Sequence, residues 1–541
     1  MNSNRIIGML LLFGFIWAGC KKQKGGGADS DALLYRVVGN RIVDANNQPV
    51  RIAGVAFGNE VWTDKELPYT HHGAIDYQRV KNMGMNAIRF YLNYKTFEND
   101  DAPYTYKESG WRWLDENIAW ARANGVYLIL NMHVPQGGFQ SLGTGDALWN
   151  NMEHQNRLAA LWKAIAARYA REQQIIGFGP LNEPVPTQDI SQWEQLAQRL
   201  ADEIRSVDKN HILFIERAIY VKSKPETADY NFPRVNVSNA VLEFHFYDPF
   251  SYTHQLFSWA NMGEGGRYPD ESVITATDTR WYTATFNNPA LAPGTSGWQY
   301  VEGVKYVISD NNIKLALPAL VGAAVGGKVY FDDVVIKEYD AAGNFVQEVL
   351  RLSLESQDGW GFWSSNNTGS SGLLPNAGIG NTGCLFIANA SGDCNISNYN
   401  HLFVPRPGFA YQASGWMKGE ALATASACKI RLDFLTSPAP IFSRNKAYLE
   451  AVLKKFTNWA AQKNVPLYMG EFGAGIHCFQ NGKGGLQWVT DMVDIAQANQ
   501  IYFTYHTYHE DNFGLYFGYG SLPDPSLANQ PLIDLFTAKL R

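Results

Sequence analysis

Cysteine is scarce: the 541 residues hold five, at positions 20, 384, 394, 428 and 478. That excludes a fold stapled by a disulfide framework and leaves stability to a large buried core, which a chain of this length can build. An excess of positive charge is also missing. Lys and Arg number 45 against 51 Asp and Glu, giving a net charge of −6 and a pI near 6.0. No electrostatic footprint for nucleic acid follows from such a balance. The apolar run at residues 6–17 is too short for a membrane-spanning helix.

What that run does fit is an export signal: Arg5, the apolar stretch, then Ala18-Gly19-Cys20. Small residues directly before a cysteine resemble a bacterial lipoprotein signal, which implies that Cys20 is acylated and becomes the mature N-terminus. Trp17 stands where that motif has Leu, and an ordinary cleaved signal peptide is the alternative. Residues 21–32 read as a flexible tether. The expected location is outside the cytoplasm, anchored by lipid at the outer membrane or cell surface, otherwise periplasmic or secreted. Any membrane contact would run through the lipid alone.

From residue 33 strand-like runs alternate with helix-period segments, the pattern of an α/β fold with parallel strands. A hairpin at 35–38 and 41–43, turning at Gly39-Asn40, is expected to plug one end. Strands are expected at 50–56, 87–91, 127–132, 175–183, 212–215, 241–246, 467–470 and 501–505. Helices are expected at 75–83, 113–124, 153–169, 189–207, 445–463, 486–497 and 530–540. Eight such strands predict a (β/α)8 TIM barrel, whose chemistry sits at the C-terminal ends of the strands.

Between about 271 and 440 the helix period vanishes. Residues 329–336, 409–418 and 427–435 read as strands, so an all-β sandwich domain is expected between strands 6 and 7. The barrel would then be built from 33–270 and 441–541. The 288 positions separating Glu183 from Glu471 are too many for three strand–helix units, and removing about 170 restores roughly 40 per unit.

Two apolar strands run into a carboxylate, which buried strands rarely tolerate. One ends in Asn182-Glu183-Pro184, the other carries Glu471 in Gly470-Glu471-Phe472-Gly473. Arg89, His133, His245 and Tyr247 fall at other strand tips. Paired carboxyls at a strand-end rim suit the breaking of glycosidic bonds. Aromatic residues, 13% of the chain, suit the C–H faces of sugars as well as cores.

These motifs, in this order, resemble glycoside hydrolase family 5, which holds many endoglucanases and mannanases. The resemblance covers 33–270 and 441–541 and includes Ala87 to Phe90, His133, Asn182-Glu183-Pro184, His245-Phe246-Tyr247 and Gly470 to Gly473. It implies Glu183 as general acid/base and Glu471 as nucleophile of a retaining reaction. Arg89, His133, Asn182, His245 and Tyr247 would support them, with Arg89 and Tyr247 favouring the ionised Glu471 and Asn182 binding the sugar 2-hydroxyl. Arg89 could instead be a salt-bridged barrel arginine, and His133 and His245 structural histidines. After strand 8 the family usually has a tryptophan under the cleaved sugar. Here His506 stands in its place, flanked by Tyr505 and Tyr508, which puts the sugar at that subsite in doubt.

The insert resembles β-sandwich carbohydrate-binding modules of families 4, 9 and 22. Tyr330 to Val334 looks like a module's closing strand and 411–418 like its opening half, so a circular permutation is expected. Such modules often hold a structural calcium. Trp281, Trp298, Trp360, Trp363 and Trp416 are candidate sugar platforms or core residues. One disulfide among Cys384, Cys394 and Cys428 is expected, and the insert could wall the cleft.

The function expected is an exported retaining hydrolase of a polysaccharide, first of all β-glucan, needing no cofactor and no metal. A metal pair from His506 and His509 is disfavoured, because the paired strand-1 histidines of a metal-dependent barrel hydrolase are absent. A β-mannanase, another β-glycanase or a transglycosylase would use the same residues. A non-catalytic glycan-binding lipoprotein is the alternative from another class.

Overall fold

In a computed structural model of the chain, residues 34–63, 65–223 and 232–541 are described. The signal, the tether and Cys20 lie outside them.

Eight parallel strands close into a barrel: β1 (Ala53–Phe57), β2 (Ala87–Asn93), β3 (Tyr127–Val134), β4 (Ile175–Gly179), β5 (Ile212–Glu216), β6 (Ala240–Phe246), β7 (Leu467–Phe472) and β8 (Tyr502–Tyr505). Most are buried along their whole length, as parallel strands covered on both faces must be. Around them pack α1 (Ala74–Asn82), α2 (Glu108–Asn124), α3 (Met152–Tyr169), α4 (Ile190–Arg205), α5 (Lys446–Lys463), α6 (Gly485–Ala498) and α7 (Gln530–Leu540). α4 shows why these segments are helical. Asp189 caps it by accepting the Ser191 N–H at 2.9 Å. Trp193, Leu196, Ala197, Leu200, Ala201 and Ile204 then line one buried face at helical spacing.

The N-terminal hairpin, Tyr35–Val38 with Arg41–Asp44, lies across the barrel's lower end. Tyr35 and Ile42 pack onto Ile52, Ala87, Ile129, Ile176, Ile212 and Val241. Asn239 pins the hairpin, accepting from Val37 N at 2.8 Å and donating to Tyr35 O at 3.0 Å. Above this apolar floor the two-residue period of each strand sets the order of side chains. Ala87 leads to Arg89 and Tyr91, Ile129 to Asn131 and His133, and Val241 to Glu243 and His245. The barrel is apolar at its base and polar at its rim.

β4 is shorter than expected. It stops at Gly179 because Pro180 has no N–H to give the ladder, so Glu183 lies in the turn beyond it. β7 is longer and holds Glu471 within it.

Between β6 and β7 the chain leaves on Asp270–Ala276 and returns on Ile441–Arg444, which pair antiparallel as a stem. Beyond the stem are a five-stranded and a seven-stranded antiparallel sheet. Their facing sides share one core, including Leu320, Phe331, Trp360, Leu385, Ile430 and Phe434. Lys328–Tyr339 and Ala410–Glu420 lie side by side in the larger sheet, with a bulge between Asp332 and Val335.

The expected disulfide is absent: Cys384, Cys394 and Cys428 are buried and free, as is Cys478. Cys394 pairs opposite Gly322 on one side of its strand, and Lys429, next to Cys428, pairs opposite Val321 on the other. Two strand spacings, about 9.5 Å, exceed the Cα separation a disulfide spans. Trp360 is core at 3% exposure, whereas Trp281 and Trp363 are about half exposed.

Candidate active site

Arg89 of β2 organises the barrel mouth. Fully buried, it donates from Nε to Glu243 at 2.8 Å, from Nη1 to Glu471 Oε1 at 2.6 Å and from Nη2 to Asn182 Oδ1 at 2.8 Å. Glu216 at the end of β5 stands 3.4 Å from Nη2. Gly470 makes room for this arrangement: a Cβ there would lie 1.9 Å from Glu243 Oε1.

Two phenols hold the other lone pairs of Glu471. Tyr91 donates to Oε1 at 2.5 Å and Tyr247 to Oε2 at 2.8 Å. Burial raises both phenol pKa values well above their ordinary value, and the Glu471 charge adds to the shift, so both stay donors. Burial alone would raise the Glu471 carboxyl too. The charges of His245, His506 and Arg89 outweigh it and hold the carboxyl well below the usual range.

Glu183 sits at the rim with its side chain 15% exposed and its backbone in the left-handed region at φ 45°. Such a backbone costs a non-glycine residue of order 1–3 kcal/mol. His245 Nδ1 lies 2.8 Å from Glu183 Oε1 and 3.5 Å from Glu471 Oε2. A donor atom from each of Glu183, His245 and Glu471 lies within 4.8 Å of the others. Burial opposes a charge on His245, but Glu216, Glu471 and the Glu183 hydrogen bond raise its pKa well above the ordinary value. Burial pushes the Glu216 carboxyl up, against the pull of His245 and Arg89.

The other expected residues converge here as well. His133 stacks on Tyr91 with centroids 3.9 Å apart, and burial depresses its pKa, leaving the ring neutral. Asn182 is fully buried, and its Nδ2 donates to Ser141 at 3.1 Å. His506 Nδ1 is 3.0 Å from Tyr91 Oη and 3.9 Å from Glu471 Oε2. Tyr505 and Tyr508 do not flank the cleft: both are fully buried, and Tyr508 donates to Asp76 at 2.6 Å. His509 turns both ring nitrogens to the carbonyls of Tyr516 and Ser521, away from His506.

Above the cluster lies a cavity of about 630 Å³, lined among others by Trp62, Phe139, Trp259, Phe513 and Tyr519. None of its lining residues comes from 271–440, so the insert does not wall the cleft. It instead braces the loop carrying Trp259, where the Glu264 N–H donates to Asp358 at 3.1 Å, and from the stem Arg444 donates to Gly265 O at 2.7 Å.

Among the described residues, two groups could offer a metal three ligands: Glu183, His245 and Glu471, or Glu216, Glu243 and His245. Arg89 already occupies Glu243 and Glu471, and a guanidinium at 2.6 Å repels a cation. In the insert, Asp332 accepts from Asp333 N and Ile379 N, and Glu355 from Gly383 N.

Tyr91, Glu216, Glu243 and Glu510 escaped the sequence reading. Tyr91 lies two residues beyond Arg89 on the same strand face. Glu216 and Glu243 are carboxylates in apolar strands, the signal that picked out Glu183 and Glu471.

Residues 43–295 match the family model for cellulase, glycosyl hydrolase family 5. The matched segment carries six of the residues expected from sequence, Arg89, His133, Asn182, Glu183, His245 and Tyr247. Endoglucanase C of Acetivibrio thermocellus is 31% identical over 186 residues, 34% of this chain and 53% of that protein. Cellodextrinase A of Ruminococcus flavefaciens is 26% identical over 206 residues, 37% of this chain and 60% of that protein. The chain thus spans about half the length of such relatives. A solved structure of Thermotoga maritima Cel5A with mannotriose aligns over 90% of this chain and 97% of that one, at 15% identity and a TM-score of 0.49.

Proposed function

We propose that the protein is a retaining glycoside hydrolase of a β-glycan, with β-glucan as the first substrate to test. The observation that carries this is that a carboxyl oxygen of Glu183 and one of Glu471 lie within 4.8 Å of each other, too close to leave room for a water between the two groups. Retaining enzymes hold their carboxyls about 5–5.5 Å apart, inverting ones about 6.5–9.5 Å. The family match and the names of the relatives support a β-glucan. Glu471, kept ionised by its neighbours, attacks the anomeric carbon. The glycosidic C–O bond breaks, and the leaving oxygen takes the proton of Glu183. Water then attacks the glycosyl–Glu471 ester, giving its proton to Glu183, and both carboxyls return to their starting states. His245 and Glu216 lie beside Glu183, where protons must move. No step calls on a metal or cofactor.

Purified Glu471→Ala, assayed against β-1,4-, β-1,3- and mixed-linkage glucans, mannans and xylans, should lose at least about 10³-fold in release of reducing ends. Undiminished release would remove the mechanism. Wild type that binds glycans and turns over none would favour a glycan-capture protein.

Export and lipid anchoring belong to the same reading, supported by residues 5–20 of the sequence. Labelled fatty acid should enter the wild-type chain expressed in a bacterium and not Cys20→Ala. Equal labelling would remove the anchor.

A further inference from the structure

Glu510 is a buried carboxyl of the cleft that the double displacement leaves unused. It is 4% exposed and lines the cavity, five residues beyond β8. Oε1 accepts the Phe513 N–H at 3.1 Å and stands 3.6 Å from His506 Nε2, while Oε2 accepts the Tyr519 hydroxyl at 3.3 Å. A carboxylate has about four lone-pair sites, so two stay open to other donors. Burial pushes this carboxyl up, against the pull of His506.

Tyr519 is itself part of a bridge. Its hydroxyl accepts from Trp62 Nε1 at 2.9 Å, and the two rings meet edge to face at 6.3 Å. Trp62 lies in the loop after β1 and Tyr519 in the loop after β8. The same loops join again where Gly520 N donates to Glu60 at 3.2 Å, and Glu60 is held by Lys65 at 2.6 Å. Hydrogen bonds therefore run from Glu510 through Tyr519 to Trp62 at the rim, and Glu510 in turn stands 3.6 Å from His506 beside the nucleophile.

On the glycosidase reading, the leaving oxygen stands at Glu183 beyond β4, and the departing chain runs outward on that side past Ser141 and Leu142. The attacked sugar lies over Glu471 with His133, Tyr247 and His506 around it. Its non-reducing side then faces Glu510 and the Trp62–Tyr519 bridge. We propose that this side is a closed pocket for a chain end, in which Glu510 binds two hydroxyls of the non-reducing terminal sugar. The protein would shorten β-glycans from that end rather than cut within them. This inference rests on the glycosidase reading and adds to it the direction and mode of attack.

The test compares two 4-nitrophenyl β-oligosaccharides of the linkage the wild type cleaves best. One has a free non-reducing end, and the other has that end blocked by a 4,6-benzylidene group. The wild type should cleave the free compound at least 100-fold better in kcat/KM. Equal rates would overturn the closed pocket while leaving the glycosidase reading intact; failure on both, and on the polysaccharides, would remove that reading and the pocket with it. The double variant Trp62→Ala, Tyr519→Phe should narrow the free-to-blocked ratio at least tenfold. Being a ratio within one protein, it does not depend on how much of the variant folds, and an unchanged ratio would overturn the bridge as the barrier. Glu510→Gln should lose at least tenfold in kcat/KM on the free compound at unchanged unfolding temperature. A change under threefold would remove Glu510 from the pocket.

Discussion

Arg89 in the barrel and Trp360 in the insert are both large and buried, at 0% and 3% exposure, in opposite surroundings. Arg89 is ringed by Glu243, Glu471, Glu216 and the Asn182 amide. Trp360 lies among Leu354, Ile396, Phe403 and their apolar neighbours. Taking charges out of water costs several kcal/mol per ion before pairing returns any of it, whereas apolar surface gains about 25 cal/mol per Å² on burial. The insert also buries acids, with fewer partners: Glu338, lowered to about 2 mainly by its Arg406 hydrogen bond, pairs with a side chain half exposed, and Asp332 is met by backbone N–H groups. The sandwich is assembled for stability. The barrel mouth holds charges where stability alone would not place them, over an apolar floor that carries the cost.

Two substitutions would break that contrast if it is wrong. Gly470→Ala places a methyl group on Glu243 and drives it from beneath Arg89, leaving a buried charge uncompensated. The expected loss is about 3–5 kcal/mol, together with the proposed glycosidase activity. Trp360→Ala should cost a similar ~3–5 kcal/mol by opening a cavity, but in the sandwich alone. Unfolding followed by calorimetry should show a different transition lowered in each variant, with activity kept well below the sandwich transition in Trp360→Ala. Abolished activity there, at a temperature where the sandwich is folded, would mean that the insert does more than brace the Trp259 loop.

The barrel was legible in the sequence because its strands are apolar throughout and its helices carry a clean period; α7 begins and ends where the pattern placed it. The end of β4 was misplaced because an apolar run does not stop at a proline, although its hydrogen bonds do. The six side chains named around the two glutamates lie in one cluster with them, since strand tips in a barrel converge whatever their distance in sequence. Glu216 and Glu243 were passed over although the rule that singled out Glu471 applied to them equally. Trp62, Tyr519 and Glu510 carried no periodic signal at all. They sit in loops, where contacts such as the Trp62–Tyr519 bond, 457 residues apart in the chain, are set only by the finished fold. Likewise, Tyr505 and Tyr508 could not be told from cleft residues until β8 showed which way they point.

Tyr247→Phe sharpens the contrast with the smallest expected effect, because it removes one hydrogen bond to Glu471 and leaves the packing. Hydrogen bonds to charged groups are worth about 1.5–3 kcal/mol, so kcat/KM should fall roughly 10- to 150-fold. The variant also loses a donor that favours the ionised carboxyl, and the acid limb of its kcat/KM profile should move to higher pH. The sign for stability follows from the same shift. A carboxyl whose folded pKa is depressed, as that of Glu471 is, contributes stability above its unfolded value of ~4.3. That contribution is lost as pH falls through the folded value. The stability gap between wild type and Tyr247→Phe should therefore be full near neutrality, and should close as pH drops below ~4.3 towards the depressed folded value. A gap constant across that range would mean that the Tyr247 hydroxyl stabilises the fold without holding the charge of Glu471.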